Sequence, residues 1–139
     1  MPTGEPQSPR FRALVADDDE DTLDAVARAV ERLGFTVTRA STGGELIEAF
    51  ANHRFDLIVT DVSMPWMTGL QALHAVRTAG LGTPVVVMTA LRQPFVDSQT
   101  SALGESAVLL RKPFGTKQLY AAIQKLLGPS VVVDTHEQF

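Results

Sequence analysis

Four short apolar runs in this chain each lead into a polar side chain, and this pattern limits the possible fold more than any other feature. The run at 11–16 leads into Asp17 and Asp18, that at 55–60 into Asp61, that at 85–88 into Thr89, and that at 108–111 into Lys112. The carboxyl ends of the strands in an open parallel α/β sheet line one crevice, the usual ligand site of such folds. The sequence therefore predicts that these acids, the hydroxyl and the amine meet at one edge of a sheet.

Apolar residues at helical spacing follow each predicted strand, so strands and helices alternate along the chain. The predicted strands are 11–16, 35–39, 57–60, 84–89 and 107–110. The predicted helices have their apolar faces within 23–33, 45–52, 70–76, 92–103 and 119–126. We expect the fourth helix to be short or loose, because its serines and threonine are poor helix formers. Five such units predict an open parallel sheet with helices on both faces.

The length of 139 residues fits one domain, which we place at 11–128 with a tail at each end. Residues 1–10 are rich in turn-forming residues and contain no apolar segment, so we expect a flexible tail and not a signal peptide. Residues 129–139 are too few for another domain. The three valines at 131–133 leave three interpretations open: an added edge strand, a partner-binding strand or a linker stub.

Composition narrows the class of protein further. The chain has no cysteine, which excludes disulfides and thiolate metal sites and suits a reducing compartment, so we expect the cytoplasm. No apolar stretch approaches the roughly 20 residues that cross a membrane. The net charge of −4 argues against direct nucleic-acid binding, which needs a basic surface.

The acidic stretch after the first predicted strand suggests a metal site. Two carboxylates about 4 Å apart repel each other by roughly 1 kcal/mol in water and about 4 kcal/mol at an effective dielectric constant near 20. A divalent cation removes that repulsion, and oxygen ligands select a hard ion such as Mg²⁺. Asp17 and Asp18 adjoin the strand and are the predicted ligands. The four acids that follow suit the positive end of a helix dipole: Asp19, Glu20, Asp21 and Asp24.

Asp61, Thr89 and Lys112 are more informative together than singly. An aspartate or a threonine at a strand end is common, but a lysine between apolar residues and Pro113 is unusual for a merely solvated charge. A carboxylate nucleophile, a metal, an ammonium group and a hydroxyl are the parts that phosphoryl transfer requires. The combination therefore predicts a phosphoryl-transfer site.

These residues resemble the receiver domain of bacterial two-component response regulators, and the similarity runs from about Phe11 to Leu127. The matching motifs are Asp17-Asp18, Asp61 with the following Met64-Pro65 and Gly69, Thr89-Ala90, and Lys112-Pro113-Phe114. The resemblance implies a flavodoxin-like (βα)5 three-layer sandwich with a parallel five-stranded sheet in the strand order 2-1-3-4-5. It also implies a phosphoacceptor and not an enzyme in the usual sense, with at most self-phosphorylation and self-dephosphorylation.

The resemblance further assigns a role to individual residues. Asp61 is the expected phosphoacceptor, Thr89 and Lys112 are expected to bind the phosphoryl group, and Mg²⁺ is expected on Asp17, Asp18, Asp61 and the backbone carbonyl of Ser63. Such domains receive the phosphoryl group from a histidine kinase or a phosphotransfer protein.

The expected readout passes through a face formed by the fourth helix, the fifth strand and the fifth helix, and an unknown downstream protein is expected to bind there. Thr89 and Leu109 are the expected switch residues, although members of this family usually carry tyrosine or phenylalanine where this chain has Leu109. On the fifth helix, Tyr120, Lys117 and Gln124 fall opposite the apolar stripe, and we expect Tyr120 to be an exposed partner anchor.

Three alternatives fit the sequence less well. A flavodoxin-type flavin carrier needs a glycine- and hydroxyl-rich phosphate loop after the first strand, where this chain places five successive acids at 17–21. A haloacid-dehalogenase-like phosphatase carries its nucleophile in an Asp-x-Asp motif on the first strand and its acid pair late, which reverses the order found here. A receiver used mainly as a docking module would lack the site residues, and they are present.

Overall fold

The computed structural model describes residues 11–61, 82–90 and 106–128, and these contain five strands and three helices. In chain order they are β1 (Arg12–Ala16), α1 (Glu20–Arg32), β2 (Thr36–Ala40), α2 (Gly43–Asn52), β3 (Leu57–Asp61), β4 (Val85–Thr89), β5 (Ala107–Arg111) and a C-terminal helix (Thr116–Leu127). All strand pairs are parallel, and the order in the sheet is β2-β1-β3-β4-β5. The predicted fold is confirmed. The third and fourth predicted helices fall at positions that are not described.

The central strands are apolar because both faces of the sheet are covered. All five residues of β3 and all five of β4 are buried, which is typical of parallel strands between two helical layers. Register pairs Ile58 with Leu14 on one side and with Val85 on the other. A slip of one residue would move each side chain to the opposite face, so this register fixes which polar groups leave the sheet at its carboxyl edge.

The two faces of the sheet support two hydrophobic cores. The first core lies under α1 and the C-terminal helix and includes Val15, Val30, Val59, Met88 and Ile123. The second core lies on the α2 face and includes Leu14, Leu46, Ile58 and Val87. Neighbouring residues of one strand enter different cores because side chains alternate across a sheet. No helix among the described residues is long and apolar enough to cross a membrane.

Local sequence signals set the ends of α1. Asp19 caps the helix by accepting hydrogen bonds from the backbone N–H and the hydroxyl of Thr22, at 2.9 Å and 2.6 Å. Glu20 and Asp21 occupy the first turn, where the helix dipole favours negative charge. After the helix, Gly34 adopts a φ of 102°, a conformation that glycine reaches without strain. The helix therefore begins just beyond the acidic pair and keeps that pair at the edge of the sheet.

The expectation that Tyr120 is exposed is wrong. Its ring is buried, with 6% of its surface accessible, and its hydroxyl donates a 3.0 Å hydrogen bond to the carbonyl of Ala29 in α1. The Ala29 carbonyl lies near the end of α1. It can accept the tyrosine hydroxyl because the N–H of Leu33 donates to the carbonyl of Val30 and not to that of Ala29. The C-terminal helix packs on α1 as well as on the sheet, so its buried stripe is wider than the spacing of its aliphatic residues indicates. Lys117 and Gln124 are exposed, as expected.

Candidate functional site

The carboxyl edge of the sheet brings the predicted acids together. Asp17 follows β1, Asp61 ends β3, and these two strands are neighbours. Asp17, Asp18 and Asp61 each offer a carboxylate oxygen within 4.8 Å of the others. Asp17 and Asp61 are buried, whereas Asp18 is exposed and therefore faces the solvent side of the cluster.

The side chain of Lys112 reaches this cluster from the edge of the sheet that β5 forms. Lys112 follows β5, which is separated from β3 by β4, and its long side chain spans that distance. Its Nζ lies 2.8 Å from Oδ2 of Asp17 and 3.4 Å from Oδ1 of Asp61. The lysine thus contacts both buried carboxylates, and its side chain is only 22% exposed. The ammonium group of Lys112 is therefore held by the acidic cluster and does not extend freely into solvent.

Asp17 is fixed from several directions. Its Oδ1 accepts a 2.9 Å hydrogen bond from the backbone N–H of Asp19, and its Oδ2 accepts the hydrogen bond from Lys112. Its own backbone N–H donates to the carbonyl of Ala40 at the end of β2. Because Asp19 also caps α1, the start of that helix helps to orient Asp17. This second role of Asp19 could not be predicted from the sequence, because the helix dipole alone accounts for an acid at a helix start.

The charges of the site are not balanced. Burial raises the pKa of Asp61, the charge of Asp17 raises it further, and Lys112 offsets only part of the effect. Burial alone would lower the pKa of Lys112, but its contacts with Asp17 and Asp61 outweigh burial and raise that pKa above its ordinary value. The ammonium group of Lys112 is thus the one cation described beside a cluster of three carboxylates, those of Asp17, Asp18 and Asp61.

This imbalance fits a divalent cation. The donor atoms are carboxylate oxygens, which hard ions prefer, and three of them lie close enough to share one ion. Mg²⁺ keeps several waters and needs only a few protein ligands. Ser63, whose carbonyl is the expected fourth ligand, is not among the described residues. Asp17, Asp18 and Asp61 are therefore the described residues that could hold the metal.

Thr89 stands beside Asp61 at the edge of the sheet. It is fully buried at the end of β4, one residue beyond Met88, which pairs in register with Asp61. Its backbone carbonyl accepts a 2.7 Å hydrogen bond from the N–H of Lys112, so the ends of β4 and β5 are tied together. Any shift of Thr89 is therefore linked to the backbone that carries the lysine.

Leu109, the expected switch residue, sits in the middle of β5. It pairs in register with Val87, is half-buried and packs on the second core. Its neighbours Val108 and Leu110 pack on the first core instead. Leu109 is thus an aliphatic side chain on the face of the sheet that α2 covers.

Fold and site together define a class of protein. A five-stranded parallel sheet that gathers acids, a lysine and a threonine at its carboxyl edge offers the charges and the hydroxyl with which a protein can bind a metal ion and a phosphoryl group. Comparison with known proteins identifies the family within this class. The sequence profile of the response regulator receiver domain matches residues 13–124, and the chain belongs to that family.

Several relatives agree with this assignment. The chain is 35% identical over 124 residues to response regulator MprA of Mycobacterium ulcerans, which covers 88% of this chain and 53% of that protein. It is 35% identical over 117 residues to transcriptional regulatory protein PrrA of Mycobacterium tuberculosis, which covers 84% and 49%. The structure of chemotaxis response regulator CheY4 of Vibrio cholerae matches with a TM-score of 0.76 and 29% identity, over 85% of this chain and 99% of that one. The chain spans about half the length of the curated relatives it matches.

Proposed function

We propose that this domain accepts a phosphoryl group on Asp61 from a histidine kinase or a phosphotransfer protein, in a reaction that depends on Mg²⁺. The observation that carries the proposal is the position of Lys112, whose Nζ contacts Asp17 at 2.8 Å and Asp61 at 3.4 Å beside a third acid. A purely structural ion pair would need one carboxylate for one ammonium group. Three clustered acids beside one lysine leave uncompensated negative charge, which a divalent cation can neutralise so that a negatively charged phosphoryl group can approach.

The chemistry assigned to Asp61 is nucleophilic. One of its carboxylate oxygens attacks the phosphorus of a phosphohistidine, a P–O bond forms, the P–N bond breaks, and the electron pair of that bond stays on the imidazole nitrogen. The product is an acyl phosphate on Asp61. Such a step is mainly a matter of position and charge, because the transition state carries much of its negative charge on the phosphoryl oxygens.

Lys112 and Thr89 complete the chemistry of the chain. The ammonium group of Lys112 sits where the phosphoryl oxygens arrive and offsets their charge. Thr89, at the end of the adjacent strand, is assigned a hydrogen bond to a phosphoryl oxygen. Asp17, Asp18 and Asp61 would hold Mg²⁺, which would supply positive charge that offsets the repulsion between these carboxylates and the incoming group.

The output is assigned to protein contact. β5 and the C-terminal helix form part of the proposed contact face, with Lys117 and Gln124 exposed on the helix and Thr89 and Leu109 as the link to the site. Tyr120 has no part in this face because it is buried against α1. The chain's negative net charge of −4 favours a protein partner over direct contact with nucleic acid.

Intact-mass measurement tests the proposal. We expect incubation with acetyl phosphate and Mg²⁺ to add the mass of one phosphoryl group, and the addition to disappear without Mg²⁺. Asp61→Asn should prevent the addition, whereas Asp56→Asn, which changes an exposed acid at the opposite edge of the sheet, should leave it intact. A protein that gains no mass under these conditions would contradict the proposed function.

A further inference from the structure

Thr60 places a buried hydroxyl in an otherwise aliphatic layer. It directly precedes Asp61 on β3, is fully buried, and pairs in register with Ala16 of β1 and Val87 of β4. Its hydroxyl donates a 3.0 Å hydrogen bond to the backbone carbonyl of Asp61. A buried hydroxyl without a partner costs about 1–3 kcal/mol, whereas valine has the same shape and no such cost. The bond to Asp61 is what makes threonine acceptable at this position.

The hydrogen bond acts on the peptide that leaves β3. Thr60 and Asp61 point to opposite faces of the sheet because side chains alternate along a strand. The hydroxyl therefore holds the Asp61 carbonyl from the second-core side, while the Asp61 carboxylate meets Lys112 on the other side. A fixed carbonyl fixes the ψ angle of Asp61 and the plane of the next peptide. The hydrogen bond thereby restrains the backbone from which the Asp61 side chain extends toward Lys112.

We propose that Thr60 is a positioning residue for phosphoryl transfer, because its buried hydroxyl holds the backbone of Asp61 and so aims the carboxylate at the site. This inference rests on the proposed function of Asp61 as the phosphoacceptor. The contact between Asp61 and Lys112 is already the longer of the two lysine contacts, at 3.4 Å against 2.8 Å for Asp17. A displacement of about 1 Å in a reacting group can cost on the order of 100-fold in rate.

A plain packing role for Thr60 makes the opposite prediction. If only shape matters, Thr60→Val is harmless, and Thr60→Ser is harmful because it removes a buried methyl group. If the hydroxyl positions Asp61, Thr60→Val slows phosphorylation and Thr60→Ser restores it. The two variants therefore separate the roles by the order of their rates.

The test follows intact mass against time with acetyl phosphate at saturating Mg²⁺. We expect Thr60→Val to slow phosphoryl transfer by about tenfold or more, and Thr60→Ser to stay within about threefold of the wild-type rate. Thr38→Val makes the same chemical change at a half-buried position in the middle of β2, a strand that does not touch β3, and should leave the rate unchanged. A wild-type rate for Thr60→Val, or an equal loss in Thr60→Ser, would overturn the positioning role.

A second pair of variants covers the case in which Thr60→Val does not fold. Thr60→Ala and Thr60→Ser both lack the methyl group and differ only in the hydroxyl, so the positioning role predicts a faster serine variant and a packing role predicts equal rates. The outcomes also separate this inference from the proposed function. A wild-type protein that gains no mass refutes the function and the positioning role together. A labelled wild type with an equally fast Thr60→Val refutes the positioning role alone.

Discussion

Asp61→Asn should stabilise the metal-free fold, and the structure gives the size of the effect. At an effective dielectric constant near 20, two carboxylates at the 4.8 Å upper limit of this cluster repel by about 3.5 kcal/mol, and the contact with Lys112 at 3.4 Å attracts by about 4.9 kcal/mol. Asp17 is buried and repels Asp61 at about the full value. Asp18 is exposed, and in water the same separation gives only about 0.9 kcal/mol.

The charges around Asp61 therefore nearly cancel, and burial decides the sign. Burial is the leading cause of the raised pKa of Asp61, and a neutral amide of the same shape avoids that cost. We expect Asp61→Asn to raise the free energy of unfolding by about 1–2 kcal/mol in buffer with a chelator. For a domain of this size the melting temperature should then rise by roughly 4–8 °C.

The gain should depend on pH in a defined direction. The pKa of Asp61 is raised in the folded state, so the folded protein binds this proton more readily than the unfolded chain does. The penalty is absent below the ordinary aspartate pKa and grows as pH rises through the raised value. Thermal or urea unfolding of the variant and the wild type across this range should show curves that converge in acid and separate toward neutral pH.

Two further variants serve as controls for this prediction. Asp21→Asn removes an exposed charge from the first turn of α1, where the dipole favours it, and should lower stability by about 0.3–1 kcal/mol. Lys112→Met removes the cation that Asp17 and Asp61 share and should destabilise the fold by about 3 kcal/mol. Equal or lower stability of Asp61→Asn at neutral pH would refute the electrostatic reasoning.

Three other predictions follow from the same contacts. Mg²⁺ at about 100 times its Kd should add about 2.7 kcal/mol of stability and alter the fluorescence of the single tryptophan, Trp66, and both responses should be lost in Asp18→Ala. Tyr120→Phe should cost about 1–2 kcal/mol in urea unfolding by leaving the Ala29 carbonyl without its partner, with an unchanged phosphorylation rate. Leu109 stands where the family usually carries a large aromatic ring, so we expect activation to pass through the segment after Thr89. The phosphoryl mimic beryllofluoride should therefore change hydrogen exchange most within 90–103 and little in α1. Uniform changes in hydrogen exchange would contradict this route.

The sequence was sufficient to predict the sheet and the identity of the acids because each depends on a local pattern. Continuous apolar runs mark strands covered on both faces, and β3 and β4 are buried throughout. A parallel sheet then brings the ends of the strands together, so Asp17, Asp61 and Lys112 meet although they are far apart in the chain.

Two features depended on contacts that no local pattern encodes. Tyr120 follows Leu119 on the C-terminal helix, and only the packing of that helix against α1 decides that its ring is buried. The hydroxyl of Thr60 looks like an ordinary strand residue in the sequence, and its bond to the Asp61 carbonyl is visible only once the backbone is in place. Both features depend on backbone carbonyls, whose positions are invisible in a pattern of side chains.

The location of the phosphoryl group tests the assignment of Asp61 as the phosphoacceptor most directly. After incubation with acetyl phosphate and Mg²⁺, borohydride reduction converts an acyl-phosphate aspartate to homoserine, and peptide mass mapping then identifies the modified position. We predict homoserine at position 61 alone, because Asp61 ends β3 and contacts Lys112, whereas both carboxylate oxygens of Asp17 already accept hydrogen bonds. Homoserine at position 17 or 18 with an unmodified Asp61 would contradict this assignment.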